Sequence, residues 1–346
     1  MSIKVIRPGM LSTVQDLGRY GMQKYGVIVS GAMDSFALRV ANILVGNTEG
    51  EAALEITMIG SKLEFRENLL IAICGGNLSP TIDGHIIPQW RPVLVKKGCI
   101  LSFGAVKSGC RVYLAISGGF DIPKIMDSQS TYLRAGIGGF HGRSLKEGDV
   151  LLVKAPSDLA VRRISCLFDR AGTNEVAASE WSVSQKIFPA YTLNPIIRAV
   201  RGGQFNWFTI ESRKQFFEEE FLVTPQSDRM GYRLCGQQLQ LSEPRELISE
   251  AVTAGTVQVP SGGNPIVLLA DRQTIGGYPK IAQVATVDLP ILAQVKPGDK
   301  VRFQEIQLEE AQELLQSRET VFQLLKQGVK LKESSFLGGF HCIELT

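Results

Sequence analysis

Apolar positions along this chain come in short runs rather than in long periodic faces. Leu69-Leu70-Ile71-Ala72-Ile73-Cys74 and Val93-Leu94-Val95 are examples, each followed by a glycine-bearing turn. Runs this short between turn signals predict β-strands. Helical spacing is confined to a few places. Phe36, Val40, Ile43 and Leu44 fall on one face, with Asp34 in position to cap the helix start and Gly46 to stop it. A second helix is predicted over 208–221, where Arg213-Lys214 and Glu218-Glu219-Glu220 recur at helical spacing on a solvated face. A third, over 308–326, mixes Leu, Phe and Ala with Glu, Gln and Arg as an amphipathic terminal helix does. Residues 338–342 show no period and read as a tail that docks or frays. The prediction is a mainly β protein with a few accessory helices.

A weak internal duplication strengthens that picture. Ser30, Met33, Glu55, Gly60, Val95, Lys96, Gly98 and Phe103 recur in order as Ser227, Met230, Glu250, Gly255, Val295, Lys296, Gly298 and Phe303. A chain of 346 residues also exceeds what one core usually organises. We therefore expect two related β-rich halves: a β-barrel-like unit over 1–155, a connector over 156–200, a second barrel-like unit over 201–305, and a C-terminal helix and tail over 306–346. A cleft between the halves is the default ligand site.

Composition narrows the function. Hydrophobic residues at 44% and charged residues at 21% exclude wholesale disorder. With Lys+Arg at 37 against Asp+Glu at 34, the net charge of +3 leaves no basic excess for nucleic acid. No membrane-spanning stretch or signal-peptide core is visible, so a cytoplasmic location is expected. The cysteines Cys74, Cys99, Cys110, Cys166, Cys235 and Cys342 form no C-x-x-C pair and read as reduced and structural. His85, His141 and His341 are isolated, so no tightly bound metal is expected.

Local chemistry points to two loops. No Walker A loop, dinucleotide fingerprint or nucleophile elbow is present. The cluster Gly136-Ile137-Gly138-Gly139-Phe140-His141-Gly142-Arg143, with Arg134 before it, puts backbone amides beside two cations and is a candidate anion loop. The remaining glycine pairs, Gly75-Gly76 among them, read as β-turns or bulges. The segment 270–282 is the richest in the chain: Asp271, Arg272, Gln273, Gly276, Gly277, Tyr278 and Lys280 follow the apolar run Ile266-Val267-Leu268-Leu269. Functional side chains favour loops held by such strands, although a well-bonded turn would need the same residues.

That segment, with Ser227-Asp228-Arg229-Met230-Gly231-Tyr232, resembles the allophanate hydrolase subunit 2 (Kip-type) family. The resemblance extends to Pro8-Gly9, Thr13-Val14-Gln15-Asp16, Gly18-Arg19, Ser30-Gly31-Ala32-Met33-Asp34, Glu55, Ser130-Thr131, Gly142-Arg143 and Gly148-Asp149, and departs from the family's usual second Thr at Ile275. It implies a cyclophilin-like β-barrel architecture. It also implies a role as one component of a 5-oxoprolinase, the C component, in an assembly that uses ATP to open 5-oxoproline to glutamate. Such a chain would be inactive alone and need two partners. These are a Kip-type subunit 1 (allophanate hydrolase subunit 1-like, the B component) and a LamB/YcsF-type protein (the A component). Two other roles follow from the same resemblance. One is a regulatory protein that sequesters a Kip-type inhibitor of a sporulation histidine kinase. The other is a biotin-dependent carboxyltransferase of the urea/allophanate type, although no Met-Lys-Met triplet is present.

Lactam, urea and the biotin ureido ring all present a carbonyl oxygen beside an N–H, so one kind of site serves them all. Attack on the activated amide develops negative charge, which preorganised donors must meet. Arg272 and the Gly276 and Gly277 amides are the candidate oxyanion or phosphate donors, with Gln273 and Tyr278 orienting the ring. Lys280, Arg229 and Asp228 are expected to complete the wall, with Asp16, Arg19, Ser30 and Asp34 contributing from the other half. Asp34 equally fits a plain helix cap, and Arg229 and Asp228 equally fit a bridge between the halves.

Overall fold

The computed structural model describes residues 1–335. His341, Cys342 and the rest of the expected tail lie outside the described residues. The mainly β expectation holds. Among the described residues, two six-stranded sheets build the first half, and seven strands close into a barrel in the second.

Alternation explains the first half. The nine-residue strand Leu69–Asn77 is nearly all buried because its sheet is covered on both faces. Leu69, Ile71 and Ile73 point into the core shared with the other sheet, against Val5, Leu63, Phe65 and Leu101. Leu70, Ala72 and Cys74 point the opposite way, against helices. A strand buried on both sides must read as a continuous apolar run.

Those helices are α1 (Ser35–Leu44) and α2 (Asp158–Ala171), joined on the same face by the end of the chain. Asp34 caps α1 by accepting from Ala37 N–H at 2.9 Å, and Gly46 follows its end with φ 78°, as the sequence predicts. The helix expected over 208–221 is the shorter α3 (Ile210–Glu218), because Glu220 already begins the strand Glu220–Val223. After the one-turn α4 (Leu289–Leu292), α5 (Leu308–Ser335) runs well past the predicted end at 326 and buries Phe322 and Val329 against α1 and its surroundings.

The interval 156–200 holds α2, the strand Val176–Ala178 that extends the second sheet, and Ile196–Arg201, which enters the closed barrel. In that barrel, Ile196–Arg201 runs parallel to Lys300–Glu305 and every other recorded pairing is antiparallel. Phe216, Phe221 and Phe303 pack in its core, with Phe216 and Phe303 stacked at 4.5 Å between ring centroids.

The duplicated anchors behave unevenly. The turns at Gly98 (φ 91°) and Gly298 (φ 94°) both lead into strands carrying a buried phenylalanine, Phe103 and Phe303. Glu55 is buried within a sheet, whereas Glu250 is exposed in a two-stranded ribbon.

Candidate active site at the junction of the two halves

Buried charge ties the halves together. Arg229, from the turn before Gly231–Cys235, donates through Nη1 to Glu55 on Ala53–Thr57, through Nε to Asp271 Oδ2 at 3.0 Å, and through Nη2 to Gly31 O at 2.5 Å. Glu55 also accepts from Tyr113 OH at 2.7 Å and Met33 N–H at 2.9 Å, and Ser30 Oγ donates to Asp271 at 2.7 Å. Burial pushes the Glu55 carboxyl up, but Arg229, Arg111 and the two donors outweigh it, leaving it below the usual glutamate range. Burial pulls Arg229 down, and Glu55 and Asp271 more than offset that.

A second seam is built on Gln294, just beyond α4. Its Oε1 accepts from the N–H groups of Cys110 and Arg111, both at 2.9 Å, and its Nε2 donates to Asp34 Oδ2 at 2.8 Å and Arg111 O at 3.0 Å. Gly75, Gly76 and Gly109 leave the room this amide occupies; a side chain on any of them would press on Gln294 or the backbone at Arg111. The pair Gly75-Gly76, read from sequence as a turn or bulge, lies at the end of a strand beside a register shift, with Gly75 at φ 105°, and makes space for the opposite half. Asp34 accepts as well from Tyr191 OH at 2.6 Å. Burial raises the Asp34 carboxyl despite these donors.

Several expected ligand-binding groups are thus committed internally. The Asp16 carboxylate accepts from Gly18 N–H, Ser128 Oγ, Gln129 N–H and Ser130 Oγ, and Arg19 donates to the carbonyls of Ile125 and Ser130. Together they staple 16–19 to 125–130. Ser30, Asp34 and Arg229 belong to the seams just described. The proposed anion loop is closed too: Gly139 N–H goes to Gln129 O, Gly142 N–H to Gly138 O, and Arg143 is bidentate on Asp149 at 2.7 and 2.9 Å. The Gly139 and Gly142 amides and the Arg143 guanidinium thus help hold the loop's own shape.

The 270–282 segment remains open. Arg272 is mostly buried and has no carboxylate partner among the described residues. Its Nη1 donates to Leu269 O at 3.2 Å, while its Nε is buried without a partner. Desolvation lowers its affinity for the proton, with Tyr20 opposing, yet a guanidinium stays charged at neutral pH. Gln273 and Tyr278 line a cavity of about 230 Å³ with Asp228, Met230 and Arg134. Asp228 caps its own turn through Met230 N–H at 2.8 Å and meets Arg134 at 3.1 Å across the mouth. Tyr278, half exposed, also borders a larger groove of about 840 Å³, with Gly277, Pro279 and Arg245.

Lys280 pairs with Glu250. Gly276 departs from its expected role. Val252 N–H donates to Thr274 O at 3.1 Å, so antiparallel alternation makes Glu250 and Gly276 the next hydrogen-bonded pair and commits the Gly276 N–H to that ribbon. Among the described residues, no group of three or more His, Cys, Asp or Glu side chains is placed to hold a metal, and no helix is long and apolar enough to cross a membrane.

Known proteins share this architecture. The family model for the carboxyltransferase domain, subdomains A and B, matches residues 25–305. The chain belongs to this carboxyltransferase-domain family. It is 37% identical to the C subunit of 5-oxoprolinase from Haemophilus influenzae over 89% of this chain and 92% of that one. With the Escherichia coli protein of the same name the identity is 38%, over 93% and 97%. The solved urea carboxylase of Kluyveromyces lactis superposes with a TM-score of 0.84 at 32% identity, covering 95% of this chain and 29% of that much longer one.

The carboxyltransferase domain also contains functional-looking residues that sequence reasoning passed over. Arg111 donates to Tyr232 OH at 2.8 Å and to Ala293 O, and Gln294 and Tyr191 complete the seam around Asp34. Each is a lone polar residue in an apolar stretch. Alternation could have placed it on a covered face, but not named its partner some hundreds of positions away.

Proposed function

We propose that this chain is the C component of an ATP-dependent 5-oxoprolinase. It hydrolyses the cyclic amide of 5-oxo-L-proline together with a Kip-type B component and a LamB/YcsF-type A component, and is inactive without them. The end-to-end match with two chains bearing the C component's name carries the reading. The balanced reaction consumes 5-oxoproline, ATP and two waters and yields glutamate, ADP and phosphate. Phosphorylation of the lactam oxygen makes the ring carbon open to water, and the C–N bond then breaks. In this chain, the small cavity suits the lactam. Gln273 and Tyr278 fix the ring, and Arg272, which precedes Gln273 in the chain and lies outside the cavity lining, supplies fixed positive charge where oxygen becomes negative. Asp228 forms part of the wall, whereas Lys280, held by Glu250, stands outside the lining of that cavity.

Replacing Arg272 by alanine tests these roles. In the complex reconstituted from all three proteins, with folding checked by circular dichroism, we expect 5-oxoproline-dependent ATP hydrolysis to fall by about 100-fold or more. Unchanged turnover removes Arg272 from the site.

The likeness to urea carboxylase favours a second reading, a carboxyltransferase component acting on urea or a related amide. Biotin-dependent carboxyl transfer to urea by the same complex, with no turnover of 5-oxoproline, would select it.

A further inference from the structure

One polar side chain of the small cavity keeps an unpaired donor. Gln258 ends the strand Thr256–Gln258, where Val257 points into the barrel core and Gln258 therefore points to the opposite face. That face is covered by the 273–278 turn. Gln258 is 1% exposed, yet its Nε2 has no hydrogen-bond partner, and its Oε1 meets only the amide of Gln273, at 3.5 Å. Gly276 packs directly on it, since a side chain there would collide with Nε2. Gln258 nevertheless lines the cavity of about 230 Å³ beside Gln273 and Tyr278.

A buried amide donor left unpaired is destabilising, and native proteins rarely leave one without a reason. Here the reason is adjacent. A cavity this small, below the range of about 300–1,000 Å³ typical of drug-sized ligands, suits a compact ring compound. Its wall carries three side-chain amides, from Gln226, Gln258 and Gln273, and the Tyr278 phenol, groups that pair with the C=O and N–H of a planar amide.

We propose that Gln258 is a substrate-binding residue of this chain, donating its Nε2–H to the ring carbonyl oxygen of a small lactam held between Gln273 and Tyr278. The choice of lactam rests on the 5-oxoprolinase reading; the donor itself rests on the orphaned amide. Gln258 thereby selects for substrates bearing that oxygen, and Gly276 is glycine to let it stand there.

The test compares wild-type complex with Gln258→Met, which keeps the length and removes the donor, and Gln258→Glu, which sets an acceptor against the oxygen. Calorimetry measures binding of 5-oxo-L-proline and of L-proline, which lacks the ring oxygen; turnover and thermal stability are measured separately. We expect Gln258→Met to weaken 5-oxoproline binding by about 10-fold or more, Gln258→Glu to weaken it further, proline binding to stay as it is, and the melting temperature of Gln258→Met to match or exceed wild type. Equal 5-oxoproline affinity in wild type and Gln258→Met overturns the proposal, as does a wild-type complex that does not bind this lactam. Turnover with no effect of Gln258 leaves the enzymatic reading standing and removes the residue. Binding that depends on Gln258 without turnover does the reverse.

Discussion

Glu55 and Arg229 illustrate how single residues are used here. Both are nearly inaccessible, and each supplies charge that the other needs. Because Glu55 titrates below its ordinary range in the folded protein, its contribution to stability is complete above the unfolded-state pKa and is lost as pH falls through the folded value. Replacing Glu55 by glutamine should cost roughly 3 kcal/mol near neutrality, since it leaves Arg229 without that partner. The gap between mutant and wild type should then narrow below about pH 4, as the wild-type carboxyl also protonates. Urea unfolding from pH 7 downwards checks this, and a gap that persists unchanged to pH 3 contradicts it. At this scale the sequence identified Asp34 as a cap and 270–282 as chemically dense. It could not distinguish Arg229, neutralised within the junction, from Arg272, whose Nε is unengaged, because that depends on which carboxylates fold up beside each.

Among the elements, α5 has the most to stabilise. Phe322 is 1% exposed and packs on Phe36 at 5.3 Å between centroids, with the Arg39 guanidinium 3.6 Å from its ring centroid. Arg39 in turn meets Glu319 on the same helix at 2.5 Å. Phe322→Ala should destabilise by about 3–5 kcal/mol, whereas Leu324→Ala, at an exposed position, should stay within about 0.5 kcal/mol of wild type. Denaturant midpoints compare them, and equal effects would mean that α5 is not docked. The existence of α1 and α5 was legible from period and caps. The later end of α5 was not, since beyond 326 its Val329 is held by packing in the apolar cluster around α1 rather than by a local signal.

Across the whole molecule, Gln294 couples the halves through four hydrogen bonds. Gln294→Leu would strand the buried N–H groups of Cys110 and Arg111, at about 1–3 kcal/mol for each, and take one of three donors from the Asp34 carboxylate. We expect calorimetry to show the single unfolding transition broadening or splitting as the barrel separates from the first half; a sharp transition at the wild-type temperature would rule out this coupling. The chain's own pattern determined that it is mainly β, that it has two β-rich parts, and that one glycine-bearing turn concentrates polar and charged side chains, because alternation, caps and turn residues act over a few positions. Tertiary structure alone decided which charges cancel, which glycines make room for Gln294 or Gln258, and which buried donors are left unpaired. Those outcomes depend on burial and on partners far apart in the chain, and desolvation, which sets their energies, does not exist until the two halves have closed on each other.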